Sequence, residues 1–165
     1  MNKPLRILYL EDDPDFAELV RSLLQQDKLN AEIKRVAGRA AFEASLDSET
    51  FDLILSDFRL PAFTGLEALA FVKKKCPDTP FILISGTIGE RAAIESLKAG
   101  AIDYVLKQSP KRLAPAIRRA VQEAGEHAKR RQAETELVRR EKYFRTLTED
   151  SLDILCILSR EGHFL

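Results

Sequence analysis

Five short apolar runs, at residues 5–10, 33–37, 53–56, 81–85 and 102–106, recur along the chain and are separated by amphipathic stretches. Each run is too brief for a helix and is bounded by polar residues, the pattern of strands buried on both faces of a parallel sheet. Between them, Phe16, Leu19, Val20, Leu23 and Leu24, and later Leu66, Leu69, Ala70 and Val72, return at the three- and four-residue steps of one helix face. Strands and helices alternating in this way predict a parallel sheet with helices on both faces, joined by right-handed crossovers. The expected fold is a doubly wound α/β domain with five strands. Gly100, directly after the fourth helical stretch, fits a left-handed C-terminal cap.

A fifth helix is expected to begin near Lys111, because Pro110 and Pro115 are tolerated only where backbone N–H groups lack helical partners. It has no evident stop. From Leu113 to about Leu147 the chain stays rich in Ala, Arg, Glu, Gln and Leu, with Gly125 the one breaker, and this exceeds what a packing helix needs. The excess is expected to project from the domain as a long C-terminal helix extension. Ile117, Val121, Ala124 and Ala128 follow the 4-3-4 spacing of a helix seam, interrupted at Arg131 and Thr135 and resumed at Val138. A homodimer through this helix is one reading, and a solvated helix ordered by neighbouring domains is the other. The organisation expected is a domain at 1–125, a helical linker or coiled coil at 126–142, and a further segment at 143–165.

With 165 residues, the chain holds one domain of ordinary size and a remnant. Its 26 Lys and Arg balance 26 Asp and Glu, so the whole molecule carries no electrostatic signature of nucleic-acid binding. The balance is uneven: between Lys111 and Arg145 eleven basic residues face five acidic ones, and before Lys111 fourteen face seventeen. The Arg pairs at 118–119, 130–131 and 139–140 are expected on the helix surface, and no recognition module accompanies them. Cys76 and Cys156 have neither disulfide-framework nor zinc spacing, which fits a reducing cytoplasm. No run approaches the length needed to span a bilayer, and residues 5–10 are followed at once by three acids rather than by signal-peptide flanks.

The chemistry gathers at the ends of the runs. Asp57 follows the third, and Leu60, Pro61 and Gly65 mark a turn behind it. In open α/β sheets, ligands sit at the carboxyl ends of the strands. An Asp capping a turn is the alternative for this residue alone. Glu11, Asp12 and Asp13 follow the first run, so at least two of their carboxylates would lie near Asp57, and like charges gathered in this way need a counter-charge. Mg²⁺, held by one or two carboxylates plus phosphate oxygens and water, meets that need. Ser85 closes the fourth run and Lys107 follows the fifth. A hydroxyl, an ammonium and a metal around one aspartate are the parts of a phosphoryl-transfer site in which Asp57 is the nucleophile that forms an acyl phosphate. Glu11, Asp12 and Asp57 supply three negative charges, and Lys107 with Mg²⁺ supplies three positive ones.

Four segments, ILYLEDDPDF, DFRLPAFTGLEAL, FILISGT and DYVLK, together resemble the receiver domain of two-component response regulators over roughly residues 5–123. The resemblance implies a flavodoxin-like fold with Glu11 and Asp12 as the acidic pair and Asp13 as a third acid. It further implies Asp57 as phosphoacceptor, the Arg59 backbone carbonyl as a metal ligand, Ser85 as the switch hydroxyl, Tyr104 as the aromatic switch residue and Lys107 as the phosphate-binding ammonium. The partner implied is a sensor histidine kinase or phosphotransfer protein, and the domain is regulatory, catalysing only its own phosphorylation and dephosphorylation. Two positions depart from the family pattern. Gln108 stands where a proline, often after a cis bond, usually follows the lysine, and Arg59 brings a long basic side chain near the phosphoryl site.

The tail, YFRTLTEDSLDILCILSREGHFL, resembles the opening of a PAS sensory domain: a short helix, a strand at 154–158, a turn at 160–162 and the start of a second strand. An irregular C-terminal extension is the alternative. His127 lies in a polar stretch and is expected to be solvated rather than a phosphoacceptor. Two other functions compete with the receiver reading. A haloacid-dehalogenase-like phosphatase also uses an aspartyl nucleophile, Mg²⁺ and a lysine, and Asp13-Pro14-Asp15 superficially matches its DxD pattern, although the loop at Asp57 argues against it. A pseudo-receiver that only binds partners is the second.

Overall fold

A computed structural model of the chain describes residues 3–86 and 90–149, with the side chains of 90 and 147–149 left aside. The chain divides after Gly125 into two units. The first is built from β1 (Leu5–Leu10), α1 (Pro14–Gln26), β2 (Ala31–Val36), α2 (Arg39–Ser48), β3 (Leu53–Asp57), α3 (Gly65–Lys75), β4 (Phe81–Ser85), α4 (Glu90–Lys98) and β5 (Asp103–Leu106). A 3₁₀ turn, Pro110–Arg112, then leads into α5 (Leu113–Glu149).

All four strand pairings are parallel, and the order across the sheet is β2-β1-β3-β4-β5. The chain leaves β1 toward one edge to make β2, then returns to its other side with β3. The crevice between the carboxyl ends of β1 and β3 is therefore the point where the winding reverses, the usual ligand position in such sheets. Strand alternation separates two cores. On one face Ile7, Tyr9, Leu55, Ile84 and Val105 meet Ala17, Val20 and Leu24 of α1 and Leu113, Ala114, Ile117 and Ala120 of α5. On the other, Leu8, Leu10, Ile54, Phe81 and Leu83 meet Phe42 of α2 and Ala68, Leu69 and Val72 of α3. Each Leu, Ile or Phe fully withdrawn from water contributes about 1.5–3 kcal/mol.

Local chemistry fixes where the helices begin. Asp13 caps α1 by accepting from the backbone N–H groups of Asp15 (2.9 Å) and Phe16 (3.2 Å), with Pro14 as the first helical residue. Thr64 and Glu67 form a reciprocal capping box at α3. Gly100 has φ +101°, as a left-handed cap requires.

The observed strands differ from the apolar runs at three places. β2 spans Ala31–Val36 rather than 33–37, because at the sheet edge it is half-exposed and its pairing with β1, Leu5 opposite Ala31, sets its start. β3 extends one residue to include Asp57, which pairs with Ile84. β5 begins at Asp103, although the Ile102 N–H already bonds the Phe81 carbonyl at 2.8 Å.

α5 starts two residues after Lys111, continues through Gly125 without a break and ends at Glu149, close to the expected Leu147. Ile117 of the expected seam is fully buried in the sheet core and Val121 packs against it, so the start of the seam serves the domain itself. Ala128, Arg131, Thr135 and Val138 in the second unit are exposed. The tail strand expected at 154–158 lies outside the described residues. Among the described residues no helix is long and apolar enough to cross a membrane.

Gly65 ties the loop after Asp57 to the sheet. Its N–H bonds the Phe58 carbonyl at 3.1 Å, and a Cβ there would stand 2.6 Å from the Asp57 carbonyl oxygen and overlap Leu83 Cδ2. Gly65→Ala is expected to destabilise the domain by about 1–3 kcal/mol through overpacking, read as a lower urea midpoint. An unchanged midpoint would show that α3 can shift freely there.

Candidate functional site

Period-two alternation in the strands builds the site. Tyr9 and Glu11 share a face at the end of β1, Leu55 and Asp57 at the end of β3, and Val105 and Lys107 after β5. Three strand ends thus deliver two carboxylates and an ammonium to one place. Lys107 Nζ lies 2.7 Å from Asp57 Oδ2 and 2.9 Å from Glu11 Oε2. Its backbone N–H bonds the Ser85 carbonyl at 2.7 Å, and its ammonium sits over the Phe16 ring, 4.3 Å from the centroid.

Glu11 is wholly buried, and both of its carboxylate oxygens accept hydrogen bonds. Oε2 accepts from the Tyr9 hydroxyl at 3.0 Å as well as from Lys107, and Oε1 accepts from the Asp13 N–H at 3.2 Å. Burial pushes the Glu11 carboxyl above its ordinary range; the Lys107 hydrogen bond opposes this and the charge on Asp57 adds to it. Lys107 is held above its usual value, because the hydrogen bonds and charges of Asp57 and Glu11 outweigh the burial that would lower it. Burial, followed by the charge on Glu11, raises the Tyr9 phenol far above its ordinary range.

Carboxylate oxygens of Glu11, Asp12 and Asp57 all lie within 4.8 Å of one another, with Glu11 and Asp57 buried and Asp12 exposed. An all-oxygen donor set of three carboxylates, partly offset by Lys107, suits a hard divalent cation. The loop beyond β3 folds back over the site: the Arg59 N–H bonds Asp57 Oδ1 at 3.1 Å, Arg59 bridges Thr64 in antiparallel fashion, and the Arg59 side chain is exposed.

Ser85 and Tyr104 are delivered differently. Ser85 ends β4 on the face of Leu83 and is buried, and Tyr104, opposite Leu83 in the register, is half-buried in the second core. Its ring meets Phe58 edge-on at 6.3 Å, so the residue after Asp57 touches the proposed aromatic switch directly. No described peptide bond is cis, so the bond between Lys107 and Gln108 is trans, and the Gln108 side-chain amide donates to the Gly86 carbonyl.

A family model described as the response regulator receiver domain matches residues 7–118. The chain belongs to this family. The receiver domain is 35% identical over 102 residues to the response regulator protein PilR of Pseudomonas aeruginosa, covering 62% of this chain and 22% of that protein. It is 38% identical over 99 residues to the regulatory protein LuxO of Vibrio cholerae, covering 59% and 21%. The chain therefore spans about a fifth of the length of these curated relatives. Among solved structures, a CheY-like receiver domain protein from Methanospirillum hungatei superposes with a TM-score of 0.68 at 27% identity, covering 76% of this chain and 99% of the other. A BeF₃-activated DrrB receiver domain superposes with a TM-score of 0.64 at 26% identity, covering 73% and 99%.

In this receiver domain the structure brings Glu11, Asp12, Asp57 and Lys107 together, sets the Arg59 backbone beside Asp57, and keeps Tyr104 one ring contact away through Phe58. Asp13, the third acid of the run, caps α1 with its carboxylate. The same contact removes the DxD resemblance, since Asp13 lies past the strand end as a helix cap and Asp15 is an exposed residue of the first helical turn. Sequence reasoning missed Tyr9 and Phe16. Tyr9 had a signal, its position two residues before Glu11 and hence on the same face, whereas Phe16 looked like one more core position of α1.

Because folding raises the Glu11 pKa, the folded chain keeps that proton to higher pH than the unfolded chain does. Stability from this group is therefore lost as pH rises from the ordinary value of 4.5 through the raised one. In EDTA, the unfolding free energy of the wild type is expected to fall relative to Glu11→Gln over that window. Denaturant curves whose separation stays constant with pH would contradict the assignment.

Proposed function

We propose that this receiver domain accepts a phosphoryl group on Asp57 from the phosphohistidine of a partner kinase or phosphotransfer protein, in a Mg²⁺-dependent reaction in the cytoplasm. The observation that carries this reading is the close approach of Lys107 to both Asp57 and Glu11 within a three-carboxylate cluster. An Asp57 oxygen attacks the phosphorus, the bond from phosphorus to the donor imidazole breaks, and its electron pair leaves with the imidazole. Lys107 neutralises a phosphoryl oxygen in the transition state, and Ser85 donates its hydroxyl to another. Glu11, Asp12, Asp57 and the Arg59 carbonyl hold Mg²⁺, which when bound offsets the remaining negative charge.

The output follows from the second face. As the hydroxyl of Ser85 is drawn to the phosphoryl group, its loop moves and Tyr104 shifts with it, biasing the surface of α4, β5 and the start of α5 between two arrangements. The Phe58–Tyr104 contact supports this route, since Phe58 directly follows the modified residue. α5 relays the change to a downstream module, for which a PAS domain beginning near residue 143 is our reading. Leu137, Val138, Tyr143 and Phe144, all more than half exposed, support a homodimer through the later part of α5.

Incubation with acetyl phosphate and Mg²⁺ is expected to add one phosphoryl group by intact mass, with the adduct lost in Asp57→Asn and in EDTA. Steady hydrolysis of a phosphate ester that survives Asp57→Asn would favour the phosphatase reading instead, and no adduct at saturating Mg²⁺ would favour a pseudo-receiver. Sedimentation of the wild type as a dimer, and of Leu137→Glu as a monomer, would support the contact along α5; a monomeric wild type would exclude it.

A further inference from the structure

Tyr9 is a buried phenol that the phosphoryl chemistry leaves without a part. It stands in the middle of the core between β1, α1 and α5, fully withdrawn from solvent, and its hydroxyl reaches up the strand to Glu11 Oε2 at 3.0 Å. A phenylalanine ring would fill that volume nearly as well. The hydroxyl adds one thing only, a donor aimed at a carboxylate of the acidic cluster.

Three donors hold that carboxylate, each from a different place: Tyr9 within β1, Lys107 after β5, and the Asp13 N–H in the turn before α1. Lys107 is a shared partner, because the same ammonium lies 2.7 Å from Asp57 Oδ2. When negative phosphoryl oxygens arrive at Asp57, they compete for Lys107 and loosen its bond to Glu11. The Asp13 N–H, at 3.2 Å, is the longest of the three contacts and lies on a turn. Tyr9 is fully buried in the core, and its bond to Oε2 does not depend on the shared Lys107. A buried carboxylate without such a donor is free to rotate away from the orientation aimed at the cation.

We infer that Tyr9 is a positioning residue for the cation site, its hydroxyl fixing the Glu11 carboxylate in the orientation that receives Mg²⁺. This rests on the reading of Glu11, Asp12 and Asp57 as the Mg²⁺ site. Groups that orient a ligand from behind are typically worth about 10–100-fold in metal affinity.

The test is Mg²⁺ titration by calorimetry of the wild type, Tyr9→Phe and Tyr9→Leu, beside their thermal midpoints in EDTA. Tyr9→Phe keeps the ring and is expected to bind Mg²⁺ about tenfold more weakly. Tyr9→Leu is expected to lose the same factor while losing more stability. In acetyl phosphate reactions, the Mg²⁺ concentration giving half the maximal rate should rise in Tyr9→Phe by the same factor, with the rate at saturating Mg²⁺ little changed. In a Glu11→Gln background, the Tyr9→Phe effect on Mg²⁺ should vanish.

Tyr9→Phe affinity within twofold of the wild type, or tighter, would overturn the inference, as would losses that scale with the drop in thermal midpoint. A wild type that binds no Mg²⁺ would instead overturn the underlying site reading. If Tyr9→Phe alone does not fold, the double variant Tyr9→Phe/Glu11→Gln is expected to fold, since the defect lies in an uncompensated carboxylate; failure of both would sink the idea.

Discussion

Repulsion among three carboxylates at the head of a parallel sheet governs the rest of this structure. Oxygens of Glu11, Asp12 and Asp57 gather within 4.8 Å, and Glu11 and Asp57 are buried. At that separation, a pair of like charges costs on the order of 3 kcal/mol at an effective dielectric of about 20. Lys107, between Asp57 and Glu11, offsets part of this, and the capping of α1 by Asp13 keeps a fourth negative charge out of the cluster. The residual negative charge favours a bound cation. The doubly wound sheet meets the geometric side of this by ending β1 and β3 side by side where the winding reverses.

The two faces of the sheet carry different residues of the site. Glu11, Asp57 and Lys107 continue the face that packs on α1 and α5, while Tyr104 belongs to the opposite core and meets the site only through Phe58. The carboxylate–ammonium cluster and Tyr104 thus lie on opposite faces of the sheet, and the loop that follows Asp57 reaches both. Gly65 lets that loop pack tightly against Leu83 and the Asp57 carbonyl.

Much of this was legible in the sequence because the relevant signals are local and repetitive. The bounds of β1 and β4 match their apolar runs, and Glu11, Asp57 and Lys107 sit where strand ends predict acid and ammonium to meet. The misses share a cause: residues whose role is set by what lies across the fold rather than along the chain. β2 is an edge strand whose start is fixed by pairing with β1, so its apolar run understated it. Asp13 counted as an acid by composition but serves as a cap because Pro14 starts a helix behind it. Tyr9 passed as core because its ring is core, and only its hydroxyl is not. The seam beginning at Ile117 has helix periodicity, and its first two members, Ile117 and Val121, pack against the sheet because they lie where α5 crosses it.

The central claim, that this cluster exists to place a phosphoryl group on Asp57, can be met directly by chemical trapping. An acyl phosphate is reduced by borohydride whereas a free carboxylate is not, so reduction after treatment with a small phosphodonor and Mg²⁺ marks the modified residue permanently. Peptide sequencing by tandem mass spectrometry is then expected to find homoserine at position 57 and nowhere else in the chain. Homoserine at position 12 or 13, or none at all in protein that folds and binds Mg²⁺, would contradict the account.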